Sequence, residues 1–282
     1  MLPHLSQARS SLTREVLVVT ESGETRLQAI PCERALTVYV DRRELVTLMT
    51  LGAQPELLVL GYLRNQRLVE SIDEIESITV DWEVNAAAVK TRRGISHIEA
   101  RTEKRVVTTG CGQGSVFGEL MADVHTIALP DAHITQTQLY DIVNTIRLQE
   151  STYKVSGSVH GCALFCGTEQ LFFIEDVGRH NAIDTIAGWM WLQGAAPAAQ
   201  GADKVFYTTG RLTSEMVIKA AQMGIPIVVS RSGMTEMGHE VAQRLGLCAI
   251  GRATNRRFLC FSAPHRLVLQ PDRVQALPRS VA

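Results

Sequence analysis

The sequence has no surplus of positive charge, no long apolar run and no internal repeat. Its 282 residues carry 28 Lys and Arg against 29 Asp and Glu, a net charge of -1, whereas duplex-DNA binders normally carry a clear basic surplus. No apolar run approaches the roughly 20 residues that a membrane-spanning helix needs, and residues 1–11 lack the apolar stretch of a secretory signal. We therefore expect a cytoplasmic protein that binds neither nucleic acid nor membrane.

Cysteine use in the chain is consistent with a reducing compartment, where thiols need not pair. The sequence has 6 cysteines, and each is core filler, a metal ligand or a reactive thiol. Cys162 and Cys166 lie among apolar residues, which predicts buried strand cysteines. We predict no metal site. The other four cysteines are Cys32, Cys111, Cys248 and Cys260.

Two hydropathy patterns divide the chain. Apolar and polar residues alternate at 36–40 and 78–84, which indicates half-buried strands, and a proline-led segment at 55–64 indicates a helix. Further along, strands and helices alternate, an arrangement typical of a helix-covered α/β sheet. The fold class predicted is a mixed α/β sheet with helices and a smaller strand-rich N-terminal domain. Its predicted parts are a flexible tail (1–14), the strand-rich domain (15–125), an α/β domain (126–270) and a second tail (271–282).

The second half allows more detailed predictions. Thr135 and Gln138 form a capping-box pair at the start of a helix, and Gly224 and Gly246 are placed where helices end. A helix is also predicted from about Asn181 to Gly194. The remaining elements predicted are strands at 171–174, 205–207, 225–229 and 247–250 and helices at 213–223 and 235–245.

A glycine-rich loop surrounds Cys111. Gly110, Gly112 and Gly114 give the backbone unusual freedom and leave N–H groups exposed. Exposure and nearby N–H donors favour the thiolate, which is the nucleophilic form of sulfur. The alternative is a turn whose cysteine happens to be exposed. We interpret Cys111 as the candidate reactive centre.

Polar segments also lie where strands are predicted to lead into helices. At 156–163, His160 sits between small residues and is either a ligand contact, a proton donor or a structural histidine. At 175–184, Arg179 and the N–H groups of a helix start can bind phosphate or carboxylate. In the alternative interpretation Asp176, Asn181 and Asp184 only cap the helix and form a salt bridge.

A second anion cradle is predicted at 208–215, where Gly210 and Arg211 precede a helix. Lys219, one turn into that helix, either adds charge or is solvated. An arginine cluster follows the last predicted strand. Two anion sites and a loop thiol together suggest a large phosphorylated ligand near a reactive sulfur. The candidate ligand-binding residues are His160, Asp176, Arg179, His180, Asn181, Gly210, Arg211, Ser214, Arg252, Ala253, Thr254, Asn255, Arg256 and Arg257.

Three segments resemble the FdhD family, the formate dehydrogenase accessory sulfurtransferases. They are EDVGRHNAID at 175–184, TGRLTSEMVIK at 209–219 and VVSRSG at 228–233. The resemblance extends to Gly110-Cys111-Gly112, to 156–163 and, more weakly, to 33–75. It covers roughly residues 15–265, and EDVGRHNA is long enough to be specific.

The resemblance implies a sulfurtransferase activity. Family members take sulfur from a cysteine desulfurase as a cysteine persulfide, here on Cys111. They pass it to bis-molybdopterin guanine dinucleotide before that cofactor enters the catalytic subunit of formate dehydrogenase. The phosphates and guanines suit the two cradles and the arginines, and a guanine nucleotide is a further candidate ligand. The resemblance also implies a cytidine-deaminase-like second half and a homodimer.

Two departures keep other functions open. The family commonly has Cys-x-x-Cys in its loop, but Gly114 stands at the second position here, and the arginines of 252–257 fall slightly out of the usual register. A chaperone that delivers the cofactor without handling sulfur is therefore the alternative. A zinc deaminase is a third reading: His97-Ile98-Glu99 matches its H-x-E, but no Pro-Cys-x-x-Cys follows.

Overall fold

The fold is that of a computed structural model, which describes residues 2–95, 106–107, 114–115, 124–194 and 201–270. Within these ranges the chain builds two large sheets, one from its first 91 residues and one from residues 160–262. Helices pack on both, so the predicted mixed α/β class is confirmed. The cytidine-deaminase-like assignment and the domain boundaries stay predictions. No helix in the described ranges has the length and hydropathy to cross a membrane.

The first sheet has five strands in the order β1-β6-β7-β4-β5, and a separate hairpin, β2–β3, lies beside it. The alternation at 36–40 is confirmed, since Leu36, Val38 and Val40 are buried. The strand predicted through residue 84 is too long, because a turn with positive φ at Asn85 follows Asp81. The elements are β1 (His4–Leu5), β2 (Thr13–Val19), β3 (Thr25–Pro31), β4 (Arg34–Val40), β5 (Arg43–Thr50), α1 (Pro55–Asn65), β6 (Ile75–Asp81) and β7 (Ala86–Thr91).

The first residues of the chain, predicted to be a tail, contact the first sheet. Strand β1 pairs in parallel with β6. The carboxylate of Glu56, in the first turn of α1, accepts hydrogen bonds from the hydroxyl of Ser6 and the backbone N–H of Ala8, both at 2.6 Å. The segment therefore has hydrogen-bonded partners that its sequence does not indicate.

The second sheet has six strands in the order β12-β11-β13-β14-β15-β16. Strands β13, β14 and β15 run parallel, and the other neighbours are antiparallel. Two short pairs, β8–β9 and β10–β17, complete the described strands. The elements are β8 (Val106–Val107), β9 (Gly114–Ser115), β10 (Ile134–Thr135), α2 (Gln136–Leu148), α3 (Thr152–Ser156), β11 (His160–Cys166), β12 (Glu169–Asp176), α4 (Arg179–Leu192), β13 (Lys204–Thr208), α5 (Ser214–Gln222), β14 (Ile227–Ser230), α6 (Glu236–Leu245), β15 (Cys248–Thr254), β16 (Arg257–Ser262) and β17 (Leu267–Val268).

Local signals place most of these helices correctly. Thr135 caps α2 with the predicted capping box, and Gly246 ends α6 in the left-handed conformation. The last strand was predicted too short: β15 continues to Thr254 and turns back into β16. Cys162 is buried as predicted, whereas Cys166 is partly exposed because it ends β11.

Helix α4 joins the two halves of the molecule. It packs on the second sheet through Ile183 and Ile186, while its Trp191 lies in the core of the first sheet. Helix α1 crosses it at Gly61 and Gly188, where an added Cβ on Gly61 would lie within 2 Å of a backbone oxygen, at 1.7 Å. Only glycine allows two helix backbones to approach so closely. Helix α2 covers the opposite face of the second sheet.

Candidate functional site

Four polar segments meet where neighbouring strands of the second sheet end. We call this end of the strands the sheet edge. Strand β11 runs antiparallel to both neighbours, so that His160, its first residue, lies opposite Asp176, the last residue of β12. On the other side, Cys162 lies opposite Thr208 at the end of β13, and Thr208 in turn pairs with Ser230 at the end of β14. This edge, where parallel strands end and helices begin, is where ligands bind in open α/β sheets.

A cavity of about 580 Å³ opens at this edge, a volume within the range of small-molecule sites. Of the residues predicted to bind ligand, His160 lines it. Thr209, Arg231 and Ser232 also line it and were missed as individual site residues, although each follows a strand end as the others do. Hydrogen bonds between the backbone of Gly161 and Thr209 hold two of its walls together. The full lining is Tyr153, Gly157, Ser158, Val159, His160, Val177, Thr209, Arg231 and Ser232.

Arg231 lines the cavity, and Arg211 lies close enough to act on His160. We call these two arginines the rim of the cavity. Burial lowers the pKa of His160, and the charges of Arg179 and Arg211 lower it further, so that this imidazole is neutral at pH 7. Arg211 and Arg231 are exposed to solvent. Guanidinium groups around a neutral histidine suit an anionic ligand with planar oxygen groups, such as phosphate or carboxylate.

The missing side chain of Gly210 leaves space for the side chain of Arg179. Arg179 is buried in the first turn of α4, and its side chain runs past Gly210. A Cβ added at Gly210 would lie 2.9 Å from Cδ and 3.1 Å from Cβ of that arginine. The structure thus brings the two predicted cradles into direct contact, because Gly210 leaves room for the side chain of Arg179.

Asp176 and Asn181 face the protein interior. Asp176 is 3% exposed and accepts hydrogen bonds from the hydroxyl of Thr50 and the N–H groups of Leu51 and Gly178. Asn181 donates to Asp176 at 2.8 Å and to the carbonyl oxygen of Met49 at 2.6 Å. Burial raises the pKa of Asp176, and its four donors oppose that rise. The two side chains fasten β5 to the start of α4.

A buried ionisable cluster lies one turn further into the molecule. We define it as His180, Asp184, Glu215 and Lys219. Lys219 Nζ lies 2.8 Å from Asp184 Oδ2 and 3.5 Å from Glu215 Oε1, and His180 Nε2 lies 3.4 Å from Glu215 Oε2. Asn65 of α1 donates to Asp184 at 2.7 Å. The cluster therefore connects α1, α4 and α5.

The charge states in the cluster follow from its burial. Burial lowers the pKa of His180 to about 3, so the ring is neutral. Burial also acts to lower the pKa of Lys219, but the carboxylates of Asp184 and Glu215 outweigh it and the pKa rises. Of the two alternatives for Lys219, added charge or solvation, solvation is wrong, since its side chain is 0% exposed. The salt bridge expected of Asp184 is formed with this lysine.

The remaining predicted residues fall in two places. Ser214 is buried at the first position of α5. The arginine cluster does not follow the last strand but lies on the β15–β16 hairpin, because β15 continues through Arg252. The N–H of Arg252 donates a hydrogen bond to the carbonyl oxygen of Ser232, a cavity residue, at 2.8 Å. The hydroxyl of Tyr140, a residue of α2, donates to the carbonyl oxygen of Arg256. Of this set, Ala253 is buried, and Arg252, Thr254, Asn255, Arg256 and Arg257 are exposed.

Cys111, His97 and Glu99 lie outside the described residues. Among the residues that the structure describes, no group of three or more His, Cys, Asp and Glu side chains is placed to hold a metal ion. Cys162 donates to Thr208 Oγ1 at 3.3 Å, and burial raises its pKa to about 12. This thiol is therefore protonated.

Known proteins similar to this chain agree with the motifs. A model of the FdhD/NarQ family matches residues 31–268. The sulfur carrier protein FdhD of Bacillus subtilis is 32% identical over 238 residues, which cover 83% of this chain and 88% of that protein. The protein of the same name from Halalkalibacterium halodurans is 27% identical over 267 residues, covering 93% and 97%.

A solved structure has the same fold. It is a crystal structure from Desulfotalea psychrophila, described as a formate dehydrogenase accessory protein, with a TM-score of 0.71 and 24% identity. The match covers 91% of this chain and 98% of that one. Sequence motifs, family model and relatives coincide over the sheet edge that holds the cavity, and the chain belongs to the FdhD/NarQ family.

Proposed function

We propose that this protein is a cytoplasmic sulfurtransferase that carries sulfur on Cys111 to bis-molybdopterin guanine dinucleotide, a cofactor that formate dehydrogenase requires. The structural observation that carries the proposal is the cavity at the sheet edge, with Arg231 in its wall and with Arg179 and Arg211 close enough to act on His160. Relatives named sulfur carrier proteins and a similar chain described as a formate dehydrogenase accessory protein support the rest.

The cavity supports the part of the proposal that concerns cofactor binding. The arginines of its rim, Arg211 and Arg231, are exposed, and their guanidinium groups suit the phosphates of a dinucleotide. Thr209 and Ser232 add hydroxyl groups in the wall. The neutral ring of His160 can accept or donate a hydrogen bond there.

Sulfur transfer in this proposal takes place on Cys111. Its thiolate attacks the terminal sulfur of the cysteine desulfurase persulfide, the sulfur–sulfur bond breaks, and the desulfurase thiolate leaves. The product is a persulfide on Cys111. Transfer of that terminal sulfur as sulfide takes up two electrons, which the acceptor metal or an external thiol supplies, since Gly114 stands where a second loop thiol would be.

The proposal is tested by maturation of formate dehydrogenase in cells that lack the wild-type protein. Cys111→Ala is expected to abolish formate dehydrogenase activity while the purified variant still binds GDP, a probe for the guanine nucleotide end. Cys32→Ala is the matched control and is expected to keep both properties. Normal maturation with Cys111→Ala would contradict sulfur transfer.

Gly114 favours a second candidate, a chaperone that binds and delivers the cofactor without handling sulfur. In that case Cys111→Ala supports maturation, whereas Arg231→Ala, which leaves every cysteine intact, does not. Loss of maturation with Cys111→Ala excludes the chaperone, whereas Arg231→Ala is expected to fail under either function.

The partners in this proposal are a cysteine desulfurase, the catalytic subunit of formate dehydrogenase and a second copy of the chain. Light scattering of the purified protein tests the homodimer, which is expected to give twice the 31.0 kDa of one chain. Co-purification with the desulfurase tests the sulfur source. A monomer, or a desulfurase that never binds, would contradict the respective part.

A further inference from the structure

Cys248 and Cys260 lie on neighbouring strands with their sulfur atoms 4.0 Å apart. Strands β15 and β16 are antiparallel, and Cys260 lies directly opposite Ile250. Residues two apart on a strand point to the same face, so Cys248 and Ile250 share the face on which Cys260 lies. Both cysteines accordingly pack in the core layer beneath α2. The two thiols are diagonal neighbours across the strand pair.

The two thiols differ in access to solvent. Cys248 is 0% exposed. Cys260 is only partly buried and lies on β16, the edge strand of the six-stranded sheet. A reagent from solvent is therefore expected to reach Cys260 before it reaches Cys248.

The pKa of Cys260 is shifted in the opposite direction to the pKa values of Cys248, Cys162 and Cys166. The hydrogen bond from Cys248 stabilises the thiolate of Cys260 and lowers its pKa to about 7, while the pKa of Cys248 is raised. By contrast, burial raises the pKa of Cys162, and a hydrogen bond to Asp203 raises that of Cys166. Cys260 is thus the more acidic thiol of the pair, and the thiolate is the nucleophilic form of sulfur.

We propose that Cys260 and Cys248 form a redox-active dithiol that closes to a disulfide by exchange with a low-molecular-weight disulfide such as oxidised glutathione. The thiolate of Cys260 attacks one glutathione sulfur, a mixed disulfide forms, and one glutathione leaves as its thiolate. The sulfur of Cys248 then attacks the sulfur of Cys260, gives its proton to the departing thiolate, and releases the second glutathione. Two protein thiols are oxidised, and one glutathione disulfide is reduced to two thiols.

The strands can accommodate the bond. The sulfurs must approach from 4.0 Å to about 2.05 Å. Strand β16 is paired on one side only, and its register with β15 already shifts between Ala249 and Ile250. An edge strand with an irregular register can move by this amount without breaking a second ladder. The reaction uses neither Cys111 nor the cavity, so it stands apart from the proposed function.

Mass spectrometry of the full chain tests the proposal. The protein is incubated with oxidised glutathione near neutral pH, alkylated and digested. We expect a peptide pair linked through Cys248 and Cys260 in the wild type. Cys248→Ser is expected to keep glutathione attached at Cys260, because the resolving thiol is gone, and Cys260→Ser is expected to leave Cys248 unmodified. Cys32→Ser is the control and should leave the link unchanged.

Two results would overturn the proposal. One is a wild-type protein in which glutathione remains on Cys260 and no linked pair forms. The other is a Cys260→Ser variant, folded by circular dichroism, in which Cys248 still takes up glutathione, since then access does not run through Cys260.

Discussion

The motif at 175–184 and the rim of the cavity lie next to each other but use polar residues in opposite ways. In the motif, Asp176, His180 and Asp184 are almost wholly buried and bonded to other parts of the chain. At the rim, Arg211 and Arg231 are exposed to solvent. The densest polar motif therefore holds elements of the fold together, whereas Thr209, Arg231 and Ser232, which follow strand ends, line the cavity.

The energetics of the two regions should differ accordingly. A buried charge that loses its partner leaves the other charge unsolvated, which costs several kcal/mol. An exposed charge is solvated in both the folded and the unfolded chain, so its removal has little effect on the free energy of unfolding. Substitutions in the motif should therefore change the free energy of unfolding, and substitutions at the rim should change affinity.

The largest effect is expected at Lys219. Lys219→Ala leaves the carboxylates of Asp184 and Glu215 buried without their cation, and should lower the free energy of unfolding by about 3–5 kcal/mol. Lys154→Ala removes a lysine from an exposed pair with Glu150 and should cost less than about 1 kcal/mol. Urea unfolding measures both. Equal losses would abolish the distinction between buried and exposed charges.

His180 should make the stability fall in acid. Its pKa is about 3 in the folded protein against 6.5 when unperturbed, so the unfolded chain binds the extra proton. Stability is fully present above pH 6.5 and is lost as the pH falls towards 3, by about 2 kcal/mol between pH 6.5 and 5. His180→Gln should flatten this part of the profile, and the exposed His265→Gln should not. An unchanged slope in His180→Gln would show that the ring is not held neutral.

The smallest effect on folding, and a clear one on binding, is expected at the rim. Arg231→Ala should weaken GDP binding by about tenfold to a hundredfold, because one charge-assisted hydrogen bond is worth roughly 1.5–3 kcal/mol, and should leave urea unfolding unchanged. The exposed Arg244→Ala, on α6, should change neither. Titration calorimetry gives the affinities. A large loss of stability with Arg231→Ala would place it with the motif instead.

Much of the fold could be predicted because its signals are local. The capping box at Thr135 and the glycine at 246 act within one helix turn, and they lie where expected. The burial of Lys219 was missed because its partner Asp184 lies 35 residues away and comes close only when α4 and α5 pack on the same sheet. A lysine in a helix carries no sequence signal for burial.

The candidate site was predictable in place but not in roles. Strand ends followed by polar residues located the edge correctly, since topology alone brings such ends together. The pattern could not separate Asp176, which faces inward, from Arg231, which faces the cavity, because both follow a strand end. The hairpin after β15 was missed for a related reason. Residues 251–256 are mostly polar and give no alternation that marks a strand.

The central claim is that Cys111 carries sulfur, and the mass of the full chain after incubation with a cysteine desulfurase and cysteine tests it most directly. The account predicts a gain of one sulfur atom that peptide mapping places on Cys111, that a thiol reductant removes, and that Cys111→Ala lacks. Wild-type protein that binds GDP yet gains no sulfur on Cys111 would contradict the account and leave the cofactor chaperone in its place.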